Sequence, residues 1–395
     1  MLQYAINKPS FRTFLSVCLT LLLLLQPLVP TVATTVLSEP RFSDCPVTHP
    51  YHASIAALAD MGVVSGTGGI SVAPDRAITK AEYIALLVRL FHPDAVLSDF
   101  QPWYISYQKY LVQQGIFRTS ELSYINSAIT WEYLYPSALY ACGIYPYPAA
   151  LYEGMPAISD YDLVTSAVYT LLDADVMDTW SPLKAAPTRG EAMDFLYRLY
   201  CTEYEGPEAL TGLGLTEKNF FISDLASRWH VRNGFLHGLS LLPQKYIDYY
   251  HSKGWDFVID DIGTYFPEME GVAGLFASST QKIYINASAI STTLHELGHF
   301  LWWYLHLTDY ADMMFQDTVE TQGLITLAKS TYCLTDSAEW FAEAFAVVLE
   351  LHQTEEGRTQ LAQYMPKTYA AIRDRLLNAE GLVDKAVFDQ YFPVS

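Results

Sequence analysis

The chain is short of basic residues, of cysteine and of long apolar runs, and each shortage closes off a class of function. Its 395 residues hold 23 Lys and Arg against 43 Asp and Glu, a formal net charge of −20. Nucleic acid is therefore not an expected partner, because phosphate binding needs a basic face. An anionic lipid surface is disfavoured on the same ground. Of the five cysteines, Cys45, Cys142, Cys201 and Cys333 are too widely spaced to read as a disulfide framework. No CxxC pair occurs, so a cysteine-held zinc is not indicated. Charged residues make up only 17% of the chain and apolar ones 51%, which argues against disorder and for packed globular structure. At this length two or three domains are expected.

The most apolar run lies near the N-terminus. Lys8 and Arg12 precede an almost wholly apolar stretch at 14–25, and Thr31-Val32-Ala33 follows with small residues. This is the pattern of an export signal over residues 1–33, carrying Cys18 with it. The run is short for a spanning helix of about 20 residues and is broken by Gln26 and Pro27. No later segment is apolar over a spanning length, so a secreted chain without membrane attachment after signal cleavage is expected.

Three segments then share a pattern: 42–92, 97–142 and 158–200. The first holds a helical stretch at 52–61, the loop Gly62-Val63-Val64-Ser65-Gly66, and Ile78-Thr79-Lys80-Ala81-Glu82 opening a second helix. Thr79 and Glu82 stand at capping-box spacing. The second carries Ile129-Thr130-Trp131-Glu132 and the third Pro187-Thr188-Arg189-Gly190-Glu191 at the matching place. These segments resemble surface-layer homology modules, the first along its length and the others in degenerate form. The resemblance implies an all-α repeat region that attaches an exported protein to the wall of a Gram-positive bacterium. It also implies a partner, an anionic secondary cell-wall polysaccharide, held by the basic residue of a Thr-Arg-Ala-Glu motif. Lys80 and Arg189 occupy that place in the first and third copies, while Trp131 occupies it in the second. Arginine brings a planar fork and lysine a point charge. A helical spacer kept for its packing is the other reading.

A break at Glu205-Gly206-Pro207 opens a further domain over 206–395. Helices are expected near 220–236 and 243–252, then strands at 272–277 and 282–286 around the polar turn Ser278-Ser279-Thr280-Gln281. Helices follow at 291–307, 318–329 and 337–351.

Within the first of these last helices stands His295-Glu296-Leu297-Gly298-His299, an HExxH pentapeptide. By chance the pattern arises in about one chain of this length in a hundred. Leu294, Leu297, Leu301 and Leu305 place it on a helix with a core stripe, after the polar start Ser291-Thr292-Thr293. Two histidines four apart share a helix face and can hold one zinc ion, and Glu296 is placed to take a proton from a water on that zinc. Trp302 and Leu305 stand where a metzincin needs a glycine and a third ligand, which excludes that class. His306 lies two turns beyond His299 and is out of reach. Carboxylates are better third ligands. Glu339 can bind the metal and Glu343 can orient an imidazole, since both sit in a largely apolar helix where carboxylates need a cation or a partner. Two solvated helix residues are the plainer alternative.

The run Ser337-Ala338-Glu339-Trp340-Phe341-Ala342-Glu343-Ala344-Phe345, followed by Met365-Pro366-Lys367-Thr368-Tyr369, resembles the catalytic domain of anthrax lethal factor and the related Pro-Pro endopeptidases. The likeness spans 260–377. It implies an α+β zincin-type metallopeptidase domain in which His295, His299 and Glu339 bind one zinc per chain and Glu296 is the general base. It further implies that Tyr332, seven residues before Glu339, donates to the oxyanion. In such peptidases an edge strand takes the substrate as an added strand. Residues 272–277, with Gly274, Leu275 and Phe276 at the centre, are the candidate, and an ordinary core hairpin is the alternative. The expected activity is cleavage of exported or surface proteins, at Pro-Pro bonds or at some other sequence. A wall-binding adhesin or scaffold with a structural or inactive metal site is the alternative from another class.

Overall fold

A computed structural model describes residues 41–381 apart from 153–155, 160, 161, 205, 208 and 217. The expected export signal lies outside the described residues, as does the stretch beyond 381.

Each of the three repeated segments carries two helices. They are α1 (His52–Asp60) with α2 (Lys80–Phe91), α3 (Ile105–Gln113) with α4 (Trp131–Ala141), and α5 (Asp162–Asp173) with α6 (Arg189–Cys201). α2 and α6 open on complete capping boxes, Thr79 with Glu82 and Thr188 with Glu191. Thr130 before α4 makes no such side-chain cap. The three helix starts are laced together through the backbone. The N–H of Ile78 donates to Pro187, that of Lys80 to Ser127, that of Trp131 to Ala185 and that of Arg189 to Arg76. The loop of one repeat thus satisfies amides that the next helix start leaves without an intrahelical partner. Ile55, Leu87, Leu111, Leu134, Val168 and Leu196 lie at the centre of one apolar core.

A second core surrounds a small mixed sheet. Its strands are β1 (Phe220–Ile222), β2 (Asp256–Ile259), β3 (Gly274–Ala277) and β4 (Lys282–Ile285), in the order β1-β2-β4-β3. β1, β2 and β4 run parallel, and β3 is antiparallel to β4 at the edge. The hairpin expected near 272–286 is therefore present. Residues 220–222, expected in a helix, form a strand instead. Phe220-Phe221-Ile222 is too short to show alternation, and the helix starts only after Asp224, whose carboxylate accepts from the N–H of Ala226. β2 also gave no sequence signal for the same reason of length.

The main helices around the sheet are α7 (Leu225–Ser240), α8 (Gln244–Ser252), α9 (Ile290–Tyr304), α10 (Thr308–Gln316), α11 (Thr318–Ala328), α12 (Ser337–His352), α13 (Glu355–Tyr364) and α14 (Pro366–Ala371). α9 packs against β3 and β4, against α7, and against α12. Leu294, Leu297 and Phe300 of α9 meet Phe257, Ile283, Phe341 and Phe345 in the core. At the crossing with α12, a Cβ on Gly298 would stand 2.8 Å from the Cα of Ala342. Only glycine lets the two backbones approach to this depth.

The two basic residues expected to meet a polysaccharide are engaged internally. Arg189 is 5% exposed, donates from Nε to the carbonyl of Val72 at 2.9 Å, and sets Nη1 3.0 Å from Oε1 of Glu82. The fork expected to face a polymer carboxylate holds a capping glutamate instead. Nζ of Lys80 donates to the carbonyls of Glu121 at 2.7 Å and Ser123 at 3.0 Å.

Arg189→Ala should accordingly lower the stability of the full chain by about 2 kcal/mol, with Glu82 left half-buried and short of a partner. Lys80→Ala should cost about 1 kcal/mol. Urea unfolding followed by tryptophan fluorescence measures both. Burial pushes the pKa of Glu82 up, but Arg76, the N–H of Thr79 and Arg189 outweigh it and hold the carboxyl below its ordinary value. Its contribution is then complete above the unfolded-chain value of about 4.3 and fades as pH falls through the lower folded value. The difference between wild type and Arg189→Ala should shrink over that acidic window.

Candidate metal centre

The site forms where α9 and α12 cross. His295 and His299 project from one face of α9, their ring centroids 4.8 Å apart and nearly perpendicular. Glu339 stands in the first turn of α12, fixed there because Asp336 accepts from its N–H at 2.9 Å. Oε2 of Glu339 lies 2.9 Å from Nε2 of His295 and 3.2 Å from Nε2 of His299. These three are the only group of potential metal ligands that converges within 4.8 Å among the described residues. Metal–ligand bonds of about 2.0–2.2 Å at tetrahedral angles place neighbouring donor atoms roughly 3.4 Å apart. The observed spacing is close to that, so the donor set fits a zinc-sized divalent ion.

Glu343 stands one turn on. Its Oε2 is 3.1 Å from Nδ1 of His295, which turns Nε2 of that ring toward Glu339. His299 is oriented differently, by stacking. Its ring faces Phe276 at 6.2 Å and 28°, and Phe276 lies flat on Trp255 at 4.5 Å and 10°. Trp255 in turn donates from Nε1 to the hydroxyl of Tyr304 at 2.8 Å. Leu275, between Gly274 and Phe276, turns to the opposite face and packs near Val258, Ile262 and Tyr284.

Glu296 is buried, at 6% exposure. Burial raises its pKa, and His295, His299 and the N–H of Phe276 offset only part of that. Tyr332 starts a short 3-10 turn before α12 and is half exposed, its ring 5.8 Å from that of His295. Burial and the nearby carboxylates, Glu339 first and Glu296 next, push its phenol up to about 12. It therefore keeps its proton and can donate it. Burial works to lower the pKa of His295, but the hydrogen bonds to Glu339 and Glu343 dominate and raise it to about 9. Glu339 is held well below the carboxylate range: burial opposes this, and the two imidazoles overcome it. A cleft of about 400 Å³ opens onto the group, with Ala273 and Gly274 on one wall, Thr292, His295 and Glu296 along its floor and Tyr332 opposite.

Gly274, His295, Glu296, Tyr332 and Glu343 thus line one cleft, and His299, Glu339 and Phe276 stand against His295 or one another beside it. The stacking role of Phe276 and Trp255 was not foreseen. Their aromatic character is visible in the sequence, but their register against His299 depends on β3 packing on α9. A second cavity, of about 460 Å³, lies in the repeat region, where Arg76, Arg89 and Arg189 line it with Glu82 and Trp103. Of these, Arg189 and Glu82 stood out by motif.

Residues 253–375 match the family model described as anthrax toxin lethal factor, N- and C-terminal domain. Residues 41–84 match the S-layer homology domain. The two matches agree with the two-part organisation expected from the sequence. The first spans the whole His-Glu cluster and supports a metallopeptidase; the second covers most of the first repeat, up to residue 84. No curated protein matches the chain.

Glu343→Gln should weaken zinc binding by about 10–100-fold while leaving the fold intact, because it loosens His295 without removing a ligand. His299→Ala, which removes a ligand, should weaken it further. Competition with a chromogenic chelator at pH 8 gives the order, and equal affinities for wild type and Glu343→Gln would refute the orienting role.

Proposed function

We propose that the chain is a secreted zinc endopeptidase, with its catalytic unit from residue 206 onward, held at the cell wall by the repeats over 42–92, 97–142 and 158–200. The observation that carries the reading is the convergence of two imidazole nitrogens and one carboxylate oxygen at 2.9 and 3.2 Å, with Glu296 buried beside them. His295, His299 and Glu339 would hold the ion. A zinc ion there supplies Lewis acidity toward a peptide carbonyl and makes a water easier to deprotonate. Glu296 accepts the proton of the attacking water at its carboxylate and returns it to the leaving amine. Its raised pKa suits both halves of that transfer. Tyr332 donates its phenolic proton in a hydrogen bond to the oxygen that gains charge. The edge strand β3 supports an extended peptide substrate lying along the cleft. Pro-Pro bonds are one candidate specificity, by likeness to the Pro-Pro endopeptidases.

A wall-binding scaffold with a structural metal is less well supported. Structural zinc is closed by four protein ligands, whereas three converge here beside an open cleft with a base and a hydroxyl donor. For the wall polymer, the cavity beside Arg189 is the better locus than Lys80. Arg76 and Arg89 line it as exposed residues, Arg76 pairing with Glu82 at 2.5 Å and Arg89 donating to the Tyr107 hydroxyl at 3.1 Å, and Trp103 offers a sugar-stacking face.

A peptide library incubated with the zinc-loaded chain, with and without chelator, tests the peptidase reading. Glu296→Gln should retain zinc and lose turnover. Tyr332→Phe should lose about 10²–10³ in kcat with zinc content and KM largely kept. Cleavage at wild-type rate by Glu296→Gln would refute the mechanism. For the wall reading, Arg89→Ala should reduce cosedimentation of the full chain with Gram-positive sacculi, and added salt should do the same. If the wild-type chain stays in the supernatant, the repeats are a spacer.

A further inference from the structure

We infer that Gly274 is a positioning residue for the base: the edge strand β3 is the seat that fixes Glu296, in addition to any contact it makes with substrate. The catalytic consequence rests on the peptidase reading above; the seat itself does not. A Cβ on Gly274 would stand 2.6 Å from Oε1 of Glu296, 2.8 Å from its Cγ and 2.9 Å from Cγ2 of Thr292. Such distances are not tolerated between real atoms, and Cγ, unlike a side-chain tip, cannot swing aside freely. The φ of Gly274 lies outside the left-handed region, so the glycine is required for space and not for backbone conformation. Glycine weakens a strand, and its presence in one marks a close approach.

The rest of the seat comes from the same face of the same strand. Gly274 and Phe276 are two apart and share a face, and the backbone of Phe276 lies near enough to the Glu296 carboxylate to lower its pKa. Glu296 is thus confined between the bare backbone at 274, the amide at 276 and the first turn of α9 at Thr292. Nearly all of its surface is buried, so most directions away from β3 are closed to it by neighbouring atoms. Any side chain at 274 must push either the carboxylate or the strand, and both change where the proton acceptor stands relative to the two histidines. Glu296 is not itself one of the three converging donors, so moving its carboxylate removes no ligand from the ion.

The test is a double-mutant cycle on the zinc-loaded full chain, read by melting temperature, with Gly274→Ala, Glu296→Ala and the pair. Gly274→Ala should lower Tm by about 5 °C in the wild-type background, and most of that loss should vanish when Glu296→Ala removes Cγ and the carboxylate. If Gly274→Ala does not fold alone, recovery of the fold in the pair supports the seat and failure to recover overturns it. An equal Tm loss in both backgrounds, or none in the wild type, also overturns it. Gly274→Ala should keep one zinc per chain while kcat falls about 100-fold and KM changes far less. A wild-type kcat in that variant overturns the positioning role. Absence of any cleavage by the wild-type chain would instead remove the peptidase reading, while the thermal cycle would still decide the seat.

Discussion

The backbone contact between Gly298 of α9 and Ala342 of α12 is the constraint on which the convergence of the two histidines and Glu339 depends. Both helices carry their functional side chains at the same offsets from that point. His295 and His299 lie three before and one after Gly298, and Glu339 and Glu343 lie three before and one after Ala342. A crossing this close lets the short reach of glutamate and histidine close the gap, so that one carboxylate oxygen meets two imidazoles. Helices separated by ordinary side chains lie about 8–10 Å apart, which leaves the donors short of a common point. The glycine inside the HExxH run is therefore a packing requirement of the ligand geometry as well as a spacer between histidines.

That geometry creates a charge problem which the cluster solves with cations. Glu296, Glu339 and Glu343 gather beside an apolar core containing Phe341, Phe345 and Val348, where an uncompensated carboxylate is costly. A proton on His295 is one source of compensation, and its pKa, raised to about 9, reflects it. A divalent ion is a better source, because it leaves both histidines neutral and serves Glu339 directly. The acidity of the cluster thus favours metal over proton. The overall acidity of the chain adds little to this, since charges on a solvated surface are screened.

Legibility followed the length of the signal. The HExxH helix, the carboxylate helix and the hairpin between 272 and 286 showed in the sequence because each has a periodic or turn-bounded pattern. The two parallel strands did not, since three or four residues cannot display a period. Motif arithmetic located Lys80 and Arg189 but gave no indication of their surroundings. Arg189 is buried against Glu82 because the loop at 72–77 folds onto the start of α6, a long-range contact with no local signature. Gly274 was visible only as a glycine in a strand pattern. That signal points to a close approach, but the partner becomes identifiable only once α9 is docked on the sheet.

The repeat region and the sheet region have separate cores, yet they are not joined merely by a passing chain. Arg232 of α7 is 4% exposed and donates to the carbonyls of Tyr145 and Pro146 at 2.7 and 2.8 Å, with the Tyr147 ring 4.2 Å from its guanidinium carbon. Trp229, one turn earlier, meets Tyr140 at 5.7 Å. A buried guanidinium needs dipoles or π faces in place of water, and the segment at 145–147 supplies both. Releasing that segment would strand the charge, so the contact resists hinge motion. α7 also packs on α9, the helix that carries the histidines. A polymer held by the repeats would therefore hold the cleft at a set orientation to the wall, in contrast to a catalytic unit on a flexible linker, which samples all directions. The reach of such an enzyme would be set by which exported chains pass the cleft, and selectivity would come from placement as well as from the contacts along β3.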